Sequence, residues 1–455
     1  MSLDARNDAA PIVRGVDDLL RWFSERERPR DAWKVGLELE KLGVLAGGTA
    51  PLPYDGPRGV SAVLRAFSRR YGYAPFEEDG DIIASQCGML TVSIEPGGQI
   101  ELSGSPFADV HVVAAELDRH LEQSHEIADE LGIAFLAAGY RPWGTPATTP
   151  WMPKKRYLVM RPYLSARGRL APDMMAMTGS GQVSYDFSSP RDMAEKLRVA
   201  LAVQPAITAL LANAPIVDGR DSGWKSFRVK VWEEVDPARS GLLAFALEPG
   251  FLEDPYRSYV EWALDVPMVF LRRRGDYLEP GGKTFRAFLA EGLGGERATL
   301  TDWNDHLTTL FPEVRVKGVV ELRAADANDA VHTKALVAFW KGILYDAEAR
   351  AEAWDLVRTL SVPERRALMH DAGQRGLAAR LPDGRTLAAL AREAVEVAAR
   401  GLCRQHCCGQ RGEDERVWLE PLRARAESGR SPADEALEAF RRGGDAALLA
   451  KLRVA

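Results

Sequence analysis

Apolar and polar positions along the chain follow two rhythms. Over residues 91–104, T-V-S-I-E-P-G-G-Q-I-E-L-S-G, the period is two, with Val92 and Ile94 before a Pro-Gly-Gly bend and Ile100 and Leu102 after it. Successive side chains of a strand point to opposite faces, so this stretch is a hairpin with one packing face and one polar face, and Glu95 and Glu101 flank the turn. The same rhythm recurs three times. V-G-L-E-L-E at 35–40 sets Val35, Leu37 and Leu39 opposite Glu38 and Glu40; Q-V-S-Y-D-F at 182–187 groups Gln182, Ser184 and Asp186; V-V-E-L-R at 319–323 puts Glu321 beside Arg323. Any one of these could be the wet face of an antiparallel sheet. Four together predict a sheet curved around a polar pocket, reached through a polar turn at 78–81 and a strand at 82–85.

The second rhythm has the period of a helix. Residues 15–28, 59–71, 108–131, 190–213, 255–263, 285–292 and 301–311 repeat apolar positions three or four apart, as do 330–344, 362–369, 385–402 and 432–441. In 108–131 the expected buried stripe is Val112, Ala115, Leu117, Leu121 and Ile127, with the charges from Glu116 to Glu130 on a solvated face. The helix at 301–311 should open on an N-cap threonine followed by aspartate. Residues 227–232, F-R-V-K-V-W, alternate and read as a strand. Residues 140–163 hold five prolines, two tryptophans and the cations Lys154, Lys155, Arg156 and Arg161, which predicts an irregular loop lining the pocket. The residues alone thus predict an α+β chain, with a sheet curved around a polar pocket and helices about it. The expected division is a catalytic core at 1–327 and a helical layer at 328–455 packed on it.

Composition narrows the function classes. The 455 residues are 46% apolar and 27% charged with a net charge of -6, an ordinary globular balance with nothing to draw the chain to nucleic acid or an anionic membrane. No apolar run is long enough to span a bilayer, and the acid-bearing start has no apolar leader core, so the expected location is the cytoplasm. Of four cysteines, Cys403, Cys407 and Cys408 cluster around His406, but a single C-x3-C-C without a second half does not make a zinc site. There is no phosphate-cradling glycine loop, dinucleotide fingerprint or H-E-x-x-H, and no Ser-His-Asp or Cys-His spacing. What remains is oxygen-bearing side chains on several strands, which suit hard Mg²⁺, and arginines, which suit carboxylate and phosphate: Arg156 or Arg161 in the proline-rich stretch, with Arg228 and Arg239 as further candidates.

V-G-L-E-L-E-K-L-G, S-I-E-P-G-G-Q-I-E-L-S-G, M-P-K-K-R-Y-L-V-M-R-P-Y, G-Q-V-S-Y-D-F-S-S, A-L-D-V-P-M and F-P-E-V-R-V-K-G-V-V-E-L-R-A-A-D, in this order, resemble the plant-type glutamate–cysteine ligases of plants and proteobacteria. The resemblance implies a glutamine-synthetase-like fold of class α+β, a curved, mainly antiparallel sheet forming an active-site funnel surrounded by helices, and an ATP-dependent joining of the L-glutamate γ-carboxylate to L-cysteine through a γ-glutamyl phosphate, the first step of glutathione biosynthesis, in a monomer or homodimer. It implies Mg²⁺ held by Glu38, Glu40, Glu95, Glu101 and Glu321. Arg323 and Arg228 would take the catalytic cation roles, and Lys154, Arg156, Arg161, Gln182, Ser184, Trp232 and Arg239 are expected to contact glutamate, cysteine or ATP. Against the plant enzymes, no transit peptide is expected, and the cysteine of their redox switch is absent at Val112-Val113-Ala114-Ala115. Two other readings compete: a ligase of the same fold that joins glutamate to another amine or serves another thiol pathway, and a non-catalytic glutamate- or nucleotide-binding relative.

Overall fold

The structure, a computed structural model, describes residues 10–409 and 412–454; residues 1–9, on which part of the leader argument rested, lie outside it. Seven strands come first: β1 (Val35–Leu45), β2 (Ala74–Glu78), β3 (Asp81–Cys87), β4 (Leu90–Ile94), β5 (Gln99–Ser103), β6 (Ile133–Leu136) and β7 (Ser180–Tyr185). Six short strands follow, β8 (Ile216–Val217), β9 (Arg220–Asp221), β10 (Ser240–Gly241), β11 (Leu271–Arg273), β12 (Asp276–Leu278) and β13 (Phe311–Pro312), then β14 (Val314–Val316) and β15 (Val320–Asp326). Nine of them make one sheet in the order β14-β15-β7-β1-β5-β4-β3-β2, with β6 also paired to β1. Every pairing in it is antiparallel. The four alternating stretches of the sequence are thus β1, the β4–β5 hairpin, β7 and β15, side by side. β1 is the spine: it carries β7 along 35–39, β5 along 38–42 and β6 along 42–45.

The helices are α1 (Val16–Ser24), α2 (Val60–Tyr71), α3 (Val110–Leu131), α4 (Lys155–Ser165), α5 (Ala171–Met177), α6 (Pro190–Leu210), α7 (Phe227–Glu233), α8 (Pro255–Asp265), α9 (Phe285–Glu291), α10 (Leu300–Thr308), α11 (Ala330–Leu344), α12 (Ala347–Asp355), α13 (Val362–Arg375), α14 (Leu387–Gln405), α15 (Glu420–Ser428) and α16 (Pro432–Leu452). Helices α2, α3, α6 and α11 cover the apolar side of the sheet, where Val35, Leu37, Leu39, Val92, Leu102 and Val183 are all buried. The chain after Asn328 continues this cover: α13 and α14 pack on α6 and α11. The last helix seals a smaller apolar cluster of Leu42, Val44 and Leu136 with Leu437, Leu448 and Leu452. Beyond it Val454 N–H donates to Phe135 O at 2.9 Å, and Ala137 N–H donates to Leu452 O at 3.0 Å, so the end of the chain closes off β6.

Several local expectations are corrected. The proline-rich stretch is irregular only to Lys154; α4 then begins and runs through Pro162, which the rule against internal proline would have forbidden. Residues 227–233 are a helix, because in seven residues a period of two and one of 3.6 cannot be told apart and tertiary packing decides. In α3, Val112 and Ala115 face solvent while Val113, Ala114 and Leu117 are buried, and Glu116 is not solvated: it accepts from Ser105 N at 2.7 Å. The cap of α10 is Thr299, whose hydroxyl accepts from Asp302 N while Asp302 answers to Thr299 N, a reciprocal box two residues earlier than expected.

Candidate active site

Strand register assembles the acidic floor. Glu40 on β1 stands directly opposite Glu101 on β5, and Glu38 stands between Ser103 on one side and Gln182 on the other. Glu95 follows β4, at the turn. There Gly98 N–H donates to Glu95 O at 2.9 Å and Glu95 N–H donates to Gln99 O at 2.9 Å. Gly98 takes the left-handed φ of 78°, closing a three-residue loop of Pro96, Gly97 and Gly98. Gly97 is needed for a different reason: a Cβ on it would lie 2.0 Å from Ala176 O of α5. Gln99 locks this contact, accepting from Gly97 N at 2.8 Å and donating to Met175 O at 3.2 Å and Thr178 O at 2.8 Å.

These carboxylates sit in a cavity of about 660 Å³ between the polar face of the sheet and α1, α4, α5, α7, α10 and the β11–β12 hairpin. Glu38, Glu40, Glu95 and Glu101 all line it. Glu40 accepts from Ser180 N at 2.7 Å and from Ser180 Oγ at 3.1 Å, and Glu101 accepts from Ser103 Oγ at 2.8 Å. Even so, burial, then the carboxylates of Glu101 and Glu95, push Glu40 up to about 8; burial, then Glu38 and Glu95, push Glu101 up to about 7. Glu95 Oε1 is buried with no hydrogen-bond donor. Among the described residues no three such groups converge to metal-holding separation. The floor is thus an all-oxygen acidic surface with more negative charge than the protein neutralises.

Cations face it. Arg323 sits at a bulge, where β15 slips against β7 between Leu322 and Ala325 and two residues oppose one. Such bulges re-aim side chains, and here Arg323 Nη1 reaches Gln182 Oε1 at 2.6 Å and Glu321 Oε2 at 3.3 Å. Arg228 and Trp232, four apart on α7, share the face turned to the cavity, and Arg228 Nη2 donates to Arg323 O at 2.7 Å. Lys154 and Arg156 line the cavity from the start of α4, and burial, partly offset by Glu95, pushes Lys154 down to about 8.

Not every expected residue arrives. Glu321 is buried outside the acidic floor, its Oε2 accepting from Arg315 Nε at 2.6 Å and Arg323 Nη1 at 3.3 Å and its Oε1 ion-paired to Lys317 Nζ at 3.2 Å. Burial works to raise it, and those three cations together hold it well below the usual carboxylate range. As it stands it organises cations of the protein itself. Arg161 lies on the exposed side of α4, stacked on Trp151 at 4.1 Å. Arg239 is wholly buried and donates to Asp236, Thr309 O, Tyr163 Oη and Pro267 O, outside the lining of the cavity. Ser184 stays on the polar face opposite Gly36 and Glu321 but outside the cavity lining. The sequence reading missed Arg26, Arg272, Arg315 and Lys317, all of which line the cavity. The last two were legible: V-R-V-K at 314–317 alternates like the other strands, and Arg315 pairs in register with Glu321.

The profile of Glutamate-cysteine ligase family 2 matches residues 34–450. The chain belongs to this family. It is 38% identical over 440 residues to the chloroplastic glutamate–cysteine ligase of Medicago truncatula, covering 96% of this chain and 84% of the relative. The chloroplastic glutamate–cysteine ligase of Arabidopsis thaliana is 37% identical over 433 residues, covering 94% and 80%. A crystal structure of glutamate–cysteine ligase from Francisella tularensis in complex with AMP superimposes with a TM-score of 0.57 at 12% identity, over 92% of this chain and 87% of that one, and shows the shared fold. Membership makes the chain an enzyme, a ligase with the α+β architecture read from the sequence. The cytoplasmic expectation is overturned, since these relatives of the family are chloroplastic enzymes. Among the described residues no helix is long and apolar enough to cross a membrane.

Proposed function

We infer that this chain forms γ-glutamylcysteine from L-glutamate and L-cysteine at the expense of ATP, the first step of glutathione biosynthesis. The observation that carries the reading is one cavity in which four carboxylates on adjacent strands face a ring of arginines and lysines, within a chain of the glutamate–cysteine ligase family. A carboxylate is a poor electrophile. In the proposed reaction a γ-carboxylate oxygen of glutamate attacks the terminal phosphorus of ATP, ADP leaves, and the acyl phosphate so formed is attacked by the amine. The C–N bond forms as the acyl C–O bond breaks, phosphate departs, and the amine nitrogen releases one proton.

Mg²⁺ suits the chemistry of the floor: its donors would be oxygen only, Glu95 Oε1 lacks a partner, and a cation would favour the ionised forms of Glu40 and Glu101, which burial and neighbouring carboxylates push up. Glu38, Glu40, Glu95 and Glu101 would hold it, and when bound it would neutralise charge on the triphosphate. The protein's own part is binding and orientation. Arg323, braced by Gln182 and Glu321, and Arg315 beside it present fixed positive charge to the transferring phosphoryl group or to the glutamate carboxylate. Lys154 and Arg156 supply further charge from the opposite wall. The test is release of ADP and phosphate by purified protein with glutamate and each amino acid in turn. Release should need Mg²⁺, glutamate and an amine together, with cysteine the best acceptor; brisk ATP hydrolysis with neither substrate would sink the reading.

A further inference from the structure

The ladder between β1 and β5 stops at Leu42 and Gln99. Just past that point Arg141 takes over: its Nη1 donates to Gly43 O of β1 at 3.1 Å and its Nη2 to Gly97 O of the turn at 3.3 Å. Its own backbone N–H donates to Met177 O, at the end of α5, at 2.7 Å. One residue thus gathers the spine of the sheet, the turn that follows Glu95 and the helix that presses on Gly97. Arg141 is 1% exposed and its Nε has no acceptor. Burial pushes its guanidinium down to about 10, and among the described residues no carboxylate offsets this. A buried guanidinium without a counter-ion is costly, and what it supplies here is span: donors on separate nitrogens of one planar fork reach two carbonyls at once.

We propose that Arg141 is a positioning residue for the cation-holding floor: by tying Gly97 O to Gly43 O it sets Glu95, before the turn, and Glu101, after it, in place relative to Glu38 and Glu40 on β1. This rests on the ligase reading, in which these carboxylates hold Mg²⁺, and deepens it by naming what holds the carboxylates. Glu95 Oε1 is buried with no donor, so the place of this oxygen follows from the turn that carries it. Other groups steady the same turn without reaching the spine: Pro96 O accepts from Met152 N at 3.0 Å, and Ile94 O accepts from Tyr157 Oη at 2.9 Å. Beyond the last rung of the ladder, the link from the turn to β1 runs through Arg141. Arg141 lies outside the cavity lining, so it acts only through the turn.

The test compares wild type with Arg141→Met, which removes both links, and Arg141→Lys, which keeps the charge but not the fork. Lys341→Met, which breaks a buried ion pair with Glu415 outside the cavity lining, is the control for lost stability alone. Binding of Mn²⁺ to the full-length protein without nucleotide is followed by the electron paramagnetic resonance of the free ion. Separately, the Mg²⁺ concentration for half-maximal ligation is measured at saturating glutamate, cysteine and ATP. Circular dichroism verifies that each protein is folded. Arg141→Met should weaken Mn²⁺ binding and raise the Mg²⁺ requirement about tenfold, and Arg141→Lys about threefold, while KM for cysteine moves less than about twofold. Lys341→Met should melt lower than wild type yet bind Mn²⁺ within about twofold of it. If Arg141→Met binds Mn²⁺ as wild type does, if Lys341→Met weakens binding as much, or if wild type binds none, the proposal is overturned. Should Arg141→Met not fold, Arg141→Lys decides, and unchanged Mn²⁺ affinity there overturns it. Wild type that binds Mn²⁺ but joins no amine to glutamate would remove the ligase reading and leave the Mn²⁺ comparison to judge Arg141.

Discussion

At the scale of single residues, the floor of the cavity is built against its own stability. Glu40 and Glu101 face each other across β1 and β5, and like charges directly opposite on a sheet destabilise it by up to about 1 kcal/mol. Glu101→Gln keeps the acceptor for Ser103 and removes one charge, so the metal-free variant should melt higher than wild type while kcat falls by about two orders of magnitude or more. Thermal melts without Mg²⁺ and steady-state rates with it measure both, and near-normal turnover would return these strands to an ordinary solvated face. His306 gives a pH dependence of known sign. It is buried, Nε2 donates to Ala263 O at 2.8 Å, Nδ1 has no partner, and burial lowers it from 6.5 to about 4. The unfolded chain therefore binds a proton that the folded one refuses, so stability is full above pH 6.5 and falls as pH drops toward 4, by about 3 kcal/mol in all. Urea melts from pH 7 to 4 should show this loss, reduced in His306→Gln; an equal acid slope in the variant would show that other groups carry it.

At the scale of elements, three-residue turns and bulges decide where the functional groups point. The β4–β5 turn was readable from Pro-Gly-Gly, but which glycine needs to be glycine was not. Gly98 needs its positive φ, whereas Gly97 needs the absence of a Cβ because α5, some eighty residues later, presses on it. Gly97→Ala should therefore destabilise by on the order of 2 kcal/mol or more and lower activity by displacing Glu95 and Glu101, whereas Gly15→Ala, with open space around it, should stay within about 0.5 kcal/mol. Chemical denaturation of the pair checks this; equal stability would mean that α5 yields at no cost. The bulge in β15 is the counterpart. A strict alternation over 319–323 puts Glu321 and Arg323 on one face and predicts both at one site, but the extra residue turns Arg323 to Gln182 and leaves Glu321 among Arg315, Lys317 and Arg323. Glu321 was placed among the Mg²⁺ ligands by the family resemblance, and which buried cations compete for its oxygens could not be read from its motif.

At the scale of the whole molecule, the helices after Asn328 are tied to the sheet-bearing part by buried charge as well as by apolar packing. Lys341 Nζ donates to Glu415 Oε1 at 2.7 Å and to Ala108 O at 3.0 Å, and the same Glu415 oxygen accepts from Val110 N at 2.6 Å, at the first turn of α3. Breaking such a pair leaves a buried charge alone, so Lys341→Met should cost about 3–5 kcal/mol, and Lys341→Met with Glu415→Gln should recover part of it. Denaturation of the single and double variants reads this, and a small single-variant loss would mean that water reaches Glu415. The sequence alone determined the repeating rhythm of β1, β4–β5, β7 and β15, the acids on one face of it, the helical tail and, through ordered motifs, the family, because these depend on local periodicity and residue identity. Whether residues 227–233 were helix or strand, that Arg161 and Arg239 turn away from the cavity, and that Arg315 and Lys317 turn toward it were decided only in the tertiary structure. Register, bulges and the competition of neighbouring groups for each buried donor and acceptor are set by contacts between residues far apart in the chain, and no local pattern encodes them.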